Sequence, residues 1–125
     1  MTKTTREYVE EICALLYEKK AQEIVTINIG DKTIIADYFV ICSGRSNTQV
    51  KALSDELEVK MGERGLTPRR IEGYREGRWV VQDYGDILVH IFHPEERSYY
   101  NMERLWRDED NARDYSAEMD AKERA

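Results

Sequence analysis

The run "GRWVVQDYGDILVHIFHP", from Gly77 to Pro94, reads as two strands of similar length joined at Tyr84-Gly85. Glycine beside aspartate between apolar segments is hairpin chemistry, because glycine takes the turn's positive φ without steric penalty. Pro94 suits the first turn of a helix, where its missing N–H costs nothing, and Glu95 and Glu96 complement the positive end of the helix dipole. That helix is expected to run unbroken through Trp106. Tyr99, Met102 and Trp106 then recur at i, i+3, i+7 as its inward face, with Tyr100 turned outward.

Upstream, Thr4 and Glu7 have capping-box spacing, and Val9, Ile12, Cys13 and Leu16 follow as the apolar stripe of a helix over roughly residues 5–20. "EIVTINIG" alternates Val25, Ile27 and Ile29 with polar residues, a half-buried strand ending at Gly30-Asp31. "DYFVICSG" is a continuous apolar run, the pattern of a central strand covered on both faces. Ser46 and Gln49 form a second capping box, and Val50, Leu53, Leu57 and Met61 carry a helix to about Arg64, with Gly65 as its left-handed stop. "PRRIEG" suggests a short strand. The order α-β-β-α-β-β-β-α places the chain in the α/β (α+β) class, with a mixed β-sheet and helices packed on it. One domain is expected over residues 1–107. Residues 108–125 are mostly charged and are expected to be frayed or disordered, with no function.

The chain has 125 residues, 41% hydrophobic and 35% charged, with a formal net charge of −6. Acidity argues against DNA held by phosphate neutralisation and fits a basic protein partner. No apolar run approaches the roughly 18 residues of a membrane span, and "MTKTTREYVEE" has no signal-peptide character, so a cytoplasmic protein is expected. Cys13 and Cys42 stand apart from each other and from any histidine, which suits buried thiols.

Several patterns could carry chemistry. His90 and His93 are three apart on a strand and would point to opposite faces, so they do not share a metal. Asp83 and Asp86 flank the hairpin turn, where a carboxylate accepts backbone N–H groups. A catalytic pair would need a third partner that the sequence does not offer. Ser43-Gly44 before a helix lacks the fuller glycine pattern of a phosphate loop, and Ser43 has no recognisable His and Asp partners. Arg64, Arg69, Arg70, Arg75 and Arg78 are interleaved with Glu63, Glu72 and Glu76, a self-compensating surface. Trp79, Tyr99 and Tyr100 stand out, since Trp and Tyr are favoured as interface anchors.

On these residues, "DYFVICSGRSNTQVKALSDELE" and "GRWVVQDYGDILVHIFHPEERSYYNMERLW" resemble the ribosomal silencing factor family, also called the Iojap family, over about residues 5–107. The resemblance implies a nucleotidyltransferase-like fold and a homodimer. It implies binding to the large ribosomal subunit through ribosomal protein number fourteen, which blocks joining of the small subunit and lowers translation when nutrients are scarce. Organelle relatives act in large-subunit assembly. Carried over by position, the partner-binding face falls on Trp79 and Tyr100, with Asp83, Asp86 and Glu103 as further candidates. A minor ribosomal RNA contact is implied, and no cofactor, metal, DNA or membrane. The enzyme alternative is a metal-dependent nucleotidyltransferase-like protein using Asp83 and Asp86. Such enzymes carry an acidic pair one residue apart on a strand, whereas these aspartates are three apart across a turn.

Overall fold

The computed structural model describes residues 3–124. Helix α1 (Thr5–Glu18) starts where expected: the Thr4 hydroxyl accepts the Glu7 N–H and the Glu7 carboxylate accepts the Thr4 N–H. Strands β1 (Gln22–Asn28) and β2 (Tyr38–Ser43) follow, then α2 (Asn47–Glu63). Ser46 caps α2 by accepting the Gln49 N–H, but the Gln49 side chain takes the Arg45 amide in place of that of Ser46. Short β3 (Arg70–Glu72) precedes the hairpin of β4 (Trp79–Asp83) and β5 (Ile87–Phe92), whose turn has Gly85 at φ +88°.

One six-stranded sheet results, in the order β3-β4-β5-β2-β1, with a sixth strand beyond β1. β2 and β5 pair in parallel and the other neighbours are antiparallel, so the sheet is mixed. Strand alternation sorts the apolar residues to two faces. Val40, Cys42, Val89 and Ile91 meet Ile12 and Leu16 of α1 and Leu53 and Leu57 of α2. Val25, Ile27, Phe39, Ile41 and Phe92 build the other face. The unbroken apolar run of β2 is thus explained by cover on both sides.

Two further expectations fail. The last helix does not run through to Trp106: Asn101 sits in the left-handed region (φ 45°, ψ 58°) and divides α3 (Pro94–Tyr100) from α4 (Met102–Trp106). Asparagine tolerates this conformation, and its N–H still closes α3 on the Arg97 carbonyl. The break rotates the stripe, so Met102 and Trp106 pack on the second face while Tyr99 is left 80% exposed.

The charged C-terminal stretch is ordered. It forms β6 (Ala112–Asp114), paired with β1, and α5 (Tyr115–Arg124). β1 would otherwise be a bare edge, and β6 supplies its missing ladder. The Ser116 hydroxyl accepts the Ile24 N–H at 2.8 Å, and Tyr115 is buried edge-on against Tyr17. The charges pair as well, Arg113 with Glu118 and with Glu10 of α1, Arg107 with Asp114.

Candidate functional site

Trp79 opens β4 directly across from Phe92 on β5, and the two rings stack at 4.9 Å and 25°. The Trp79 indole N–H donates to His90 Nδ1 at 3.1 Å. Tyr100 closes over Trp79 from the end of α3, ring centroids 4.6 Å apart, and Tyr99 stands edge-on to Tyr100 at 5.0 Å. Beneath, Phe39 meets His90 at 4.9 Å and Trp106 at 5.4 Å. Aromatic side chains therefore run without interruption from the core to the surface, where Tyr100 is 46% exposed.

Arg78 sets this geometry. Its guanidinium grips the Glu96 carboxylate through Nε and Nη2, and Nη2 reaches Glu95 at 3.1 Å. Its carbonyl accepts the His93 N–H at 2.8 Å. The start of β4 is thereby fastened to the first turn of α3, which fixes Tyr100 over Trp79. Arg78 holds the Glu96 carboxyl below the usual range. His93 serves as the N-cap, its Nδ1 accepting the Glu95 N–H at 3.2 Å.

Val81 and Asp83 share the sheet face of Trp79 by alternation, and Leu88 on β5 lies opposite Asp83. Val81, Asp83 and Leu88 are half-buried, a strip only partly covered. The Asp83 carboxylate accepts the Gly85 N–H at 2.8 Å and pairs with Arg69 at 3.5 Å. Asp86 ties the hairpin tip to β2, its carbonyl accepting the Asp37 and Tyr38 N–H groups, and its carboxylate lies 3.5 Å from the Thr5 hydroxyl beside α1. Glu103 turns toward Arg97 at 3.3 Å. The structure thus brings Trp79, Tyr100 and Asp83 to one face and leaves Asp86 and Glu103 elsewhere.

Three contributors escaped the sequence reading. His90 forms the floor of the site, and burial pushes its pKa down to about 4, so it is neutral and free to accept from Trp79. Its Nε2 has no hydrogen-bond partner among the described residues. Phe92 is the stacking base. Arg97 is buried and donates to the Ser43 hydroxyl at 3.0 Å, which gives that serine a structural role. Gly44 beside it is required by packing, since a Cβ there would lie 2.9 Å from the Val50 nitrogen. Burial pushes the Cys13 and Cys42 thiols up, Cys42 to about 12.

Among the described residues, the group with ligand atoms close enough to share a cation is His93, Glu95 and Glu96, within 4.8 Å of one another. Arg78 already ion-pairs with both carboxylates and His93 Nδ1 is spent on the helix cap, so it reads as a capping cluster. Asp83 and Asp86 are not part of any such group.

A family model described as "Ribosomal silencing factor during starvation" matches residues 2–125. A relative from Halalkalibacterium halodurans named ribosomal silencing factor is 47% identical over 91 residues, 73% of this chain and 78% of the relative. A mouse relative, "Mitochondrial assembly of ribosomal large subunit protein 1", is 32% identical over 102 residues, 78% of this chain and 44% of its own length. A crystal structure of a Chromobacterium violaceum protein superposes with a TM-score of 0.81 at 33% identity, covering 83% of this chain and 87% of that one.

Proposed function

Because the chain belongs to the ribosomal silencing factor family, we propose that it binds the large ribosomal subunit and sterically blocks joining of the small subunit, repressing translation under nutrient limitation. The contact is made to ribosomal protein number fourteen by the face of Trp79, Tyr100 and Asp83. The observation that carries this reading is the Trp79–Tyr100 contact: a large aromatic pair, rings tilted by 43°, backed by Phe92 and His90 yet open to solvent at Tyr100. Rigid aromatic anchors over a fixed floor are what protein interfaces use to concentrate binding energy. The net charge of −6 favours a basic ribosomal protein as partner. A cytoplasmic location and pairing of two copies belong to the same proposal, the latter suggested by exposed Ile34 and Ile35 in the β1–β2 loop. Among the described residues no helix is long and apolar enough to cross a membrane.

The proposed action needs no catalysis. The Asp83 carboxylate is engaged by Gly85 and Arg69, and that of Asp86 lies by Thr5, so they do not converge as the paired carboxylates of a metal-dependent transferase would. A second reading, action in large-subunit assembly, is favoured by the name of the mouse relative and would use the same face.

The test is binding of Tyr100→Ala to isolated ribosomal protein number fourteen. Tyr100 contributes little to the core, so the variant should melt normally while binding falls about thirtyfold, the effect of a ~2 kcal/mol hot spot. Full binding by a normally folded Tyr100→Ala would move the interface elsewhere.

A further inference from the structure

Beside the Trp79–Tyr100 pair lies a cleft of about 470 Å³ walled by Arg78, Glu95, Glu96, Tyr99 and Tyr100. The tyrosine rings meet at 87°, so they make a corner that could hold a side chain on two sides. Tyr99 is 80% exposed, and its ring belongs to neither buried cluster. Facing the corner are the carboxylates. Glu96 is gripped by Arg78, whereas the Glu95 side chain is 78% exposed and touched by a single guanidinium nitrogen. One guanidinium against two carboxylates leaves the cleft net negative, and tyrosine ring faces carry negative potential.

We propose that this cleft receives a lysine or arginine side chain of the ribosomal partner. Its aliphatic stem lies along Tyr99 and Tyr100 and its cationic head reaches the Glu95 carboxylate. The assignment rests on the reading of Trp79 and Tyr100 as the partner-binding face and gives that face its chemical selectivity: the aromatic pair supplies area, and the cleft selects for positive charge. A phosphate of ribosomal RNA is disfavoured here, because Glu95 would repel it and Arg78 is committed to Glu96.

The full-length chain and purified large ribosomal subunits test this directly, with Glu95→Gln, Glu95→Lys, Tyr99→Leu and Tyr99→Phe. Both positions are exposed, so each variant should melt as the parent does. Glu95→Gln should weaken binding about tenfold and flatten its salt dependence, and Glu95→Lys should weaken it further. Tyr99→Leu should lose roughly fivefold while Tyr99→Phe, which keeps the ring face, binds normally. If Tyr100→Ala loses binding but Glu95→Gln and Tyr99→Leu bind normally, the face stands and the cleft is unoccupied. If Tyr99→Leu weakens binding while Glu95→Gln leaves affinity and salt dependence intact, the occupant is apolar and the proposal fails. Tighter binding by Glu95→Lys would place an anion there and overturn it equally. Normal binding by Tyr100→Ala would remove the face, and the cleft's role with it.

Discussion

Trp79 does two jobs that a single truncation confounds. Its ring stacks on fully buried Phe92 and is hydrogen-bonded to His90, while its outer side supports exposed Tyr100. Trp79→Ala should therefore lower both stability and binding, the former by about 2 kcal/mol, short of the 3–5 kcal/mol of a fully buried tryptophan. Trp79→Phe separates the roles: it keeps the stack but leaves His90 Nδ1 without its donor, at a cost of about 1 kcal/mol in a denaturant melt. His90 itself should leave a signature in pH. Burial lowers its folded pKa from the usual 6.5 to about 4, so the unfolded chain binds a proton before the folded one does. Its neutral form contributes fully above pH 6.5, and that contribution is lost as the pH falls toward 4, at roughly 1.4 kcal/mol per pH unit. Urea melts across that window should show a steeper loss for the parent than for His90→Phe. Equal slopes would mean that His90 is not held neutral by the fold.

At the scale of elements, the C-terminal β6 and α5 carry the clearest expectation. Deleting Asp108 to Ala125 removes buried Tyr115, the Ser116 acceptor of the Ile24 N–H and the strand that pairs with β1. The truncated chain should lose at least about 3 kcal/mol and expose an aggregation-prone edge. A truncated protein that melts like the parent would show that the segment adds no stability. Sequence alone suggests the opposite outcome, because the segment is dominated by charge and offers one large aromatic anchor, Tyr115. What orders it is main-chain pairing and side-chain acceptors, which leave no apolar period to read. By contrast α1, β2 and the β4–β5 hairpin are legible, since capping residues, apolar periodicity and a glycine turn all act locally. The break at Asn101 is invisible for a related reason: asparagine is compatible with either a helix or a left-handed kink, and packing of Met102 and Trp106 chooses the kink.

For the whole molecule, the sheet has unequal faces. One is sealed by α1 and α2, and the other is capped by the short α4 and the end of α3, which leaves the strip around Trp79, Val81 and Leu88 partly open. Trp79 and Tyr100 could be singled out from the sequence as aromatic residues beside the hairpin, and Asp83 as a turn residue. Their convergence, the His90 floor and the Arg78 clamp depend on the register of β4 against β5 and on where α3 stops, which no local spacing specifies. Asp86 and Glu103 show the converse, close in sequence to the site yet turned toward Thr5 and Arg97. In the proposed action, a protein of this size, seated on the large subunit by that face, keeps the small subunit away. Gradient sedimentation of purified large and small subunits, with and without this protein, tests it most directly. The protein should travel with the large subunit and joined ribosomes should diminish, whereas Tyr100→Ala should stay at the top with joining normal. Joined ribosomes forming undiminished with the protein bound to them would contradict it.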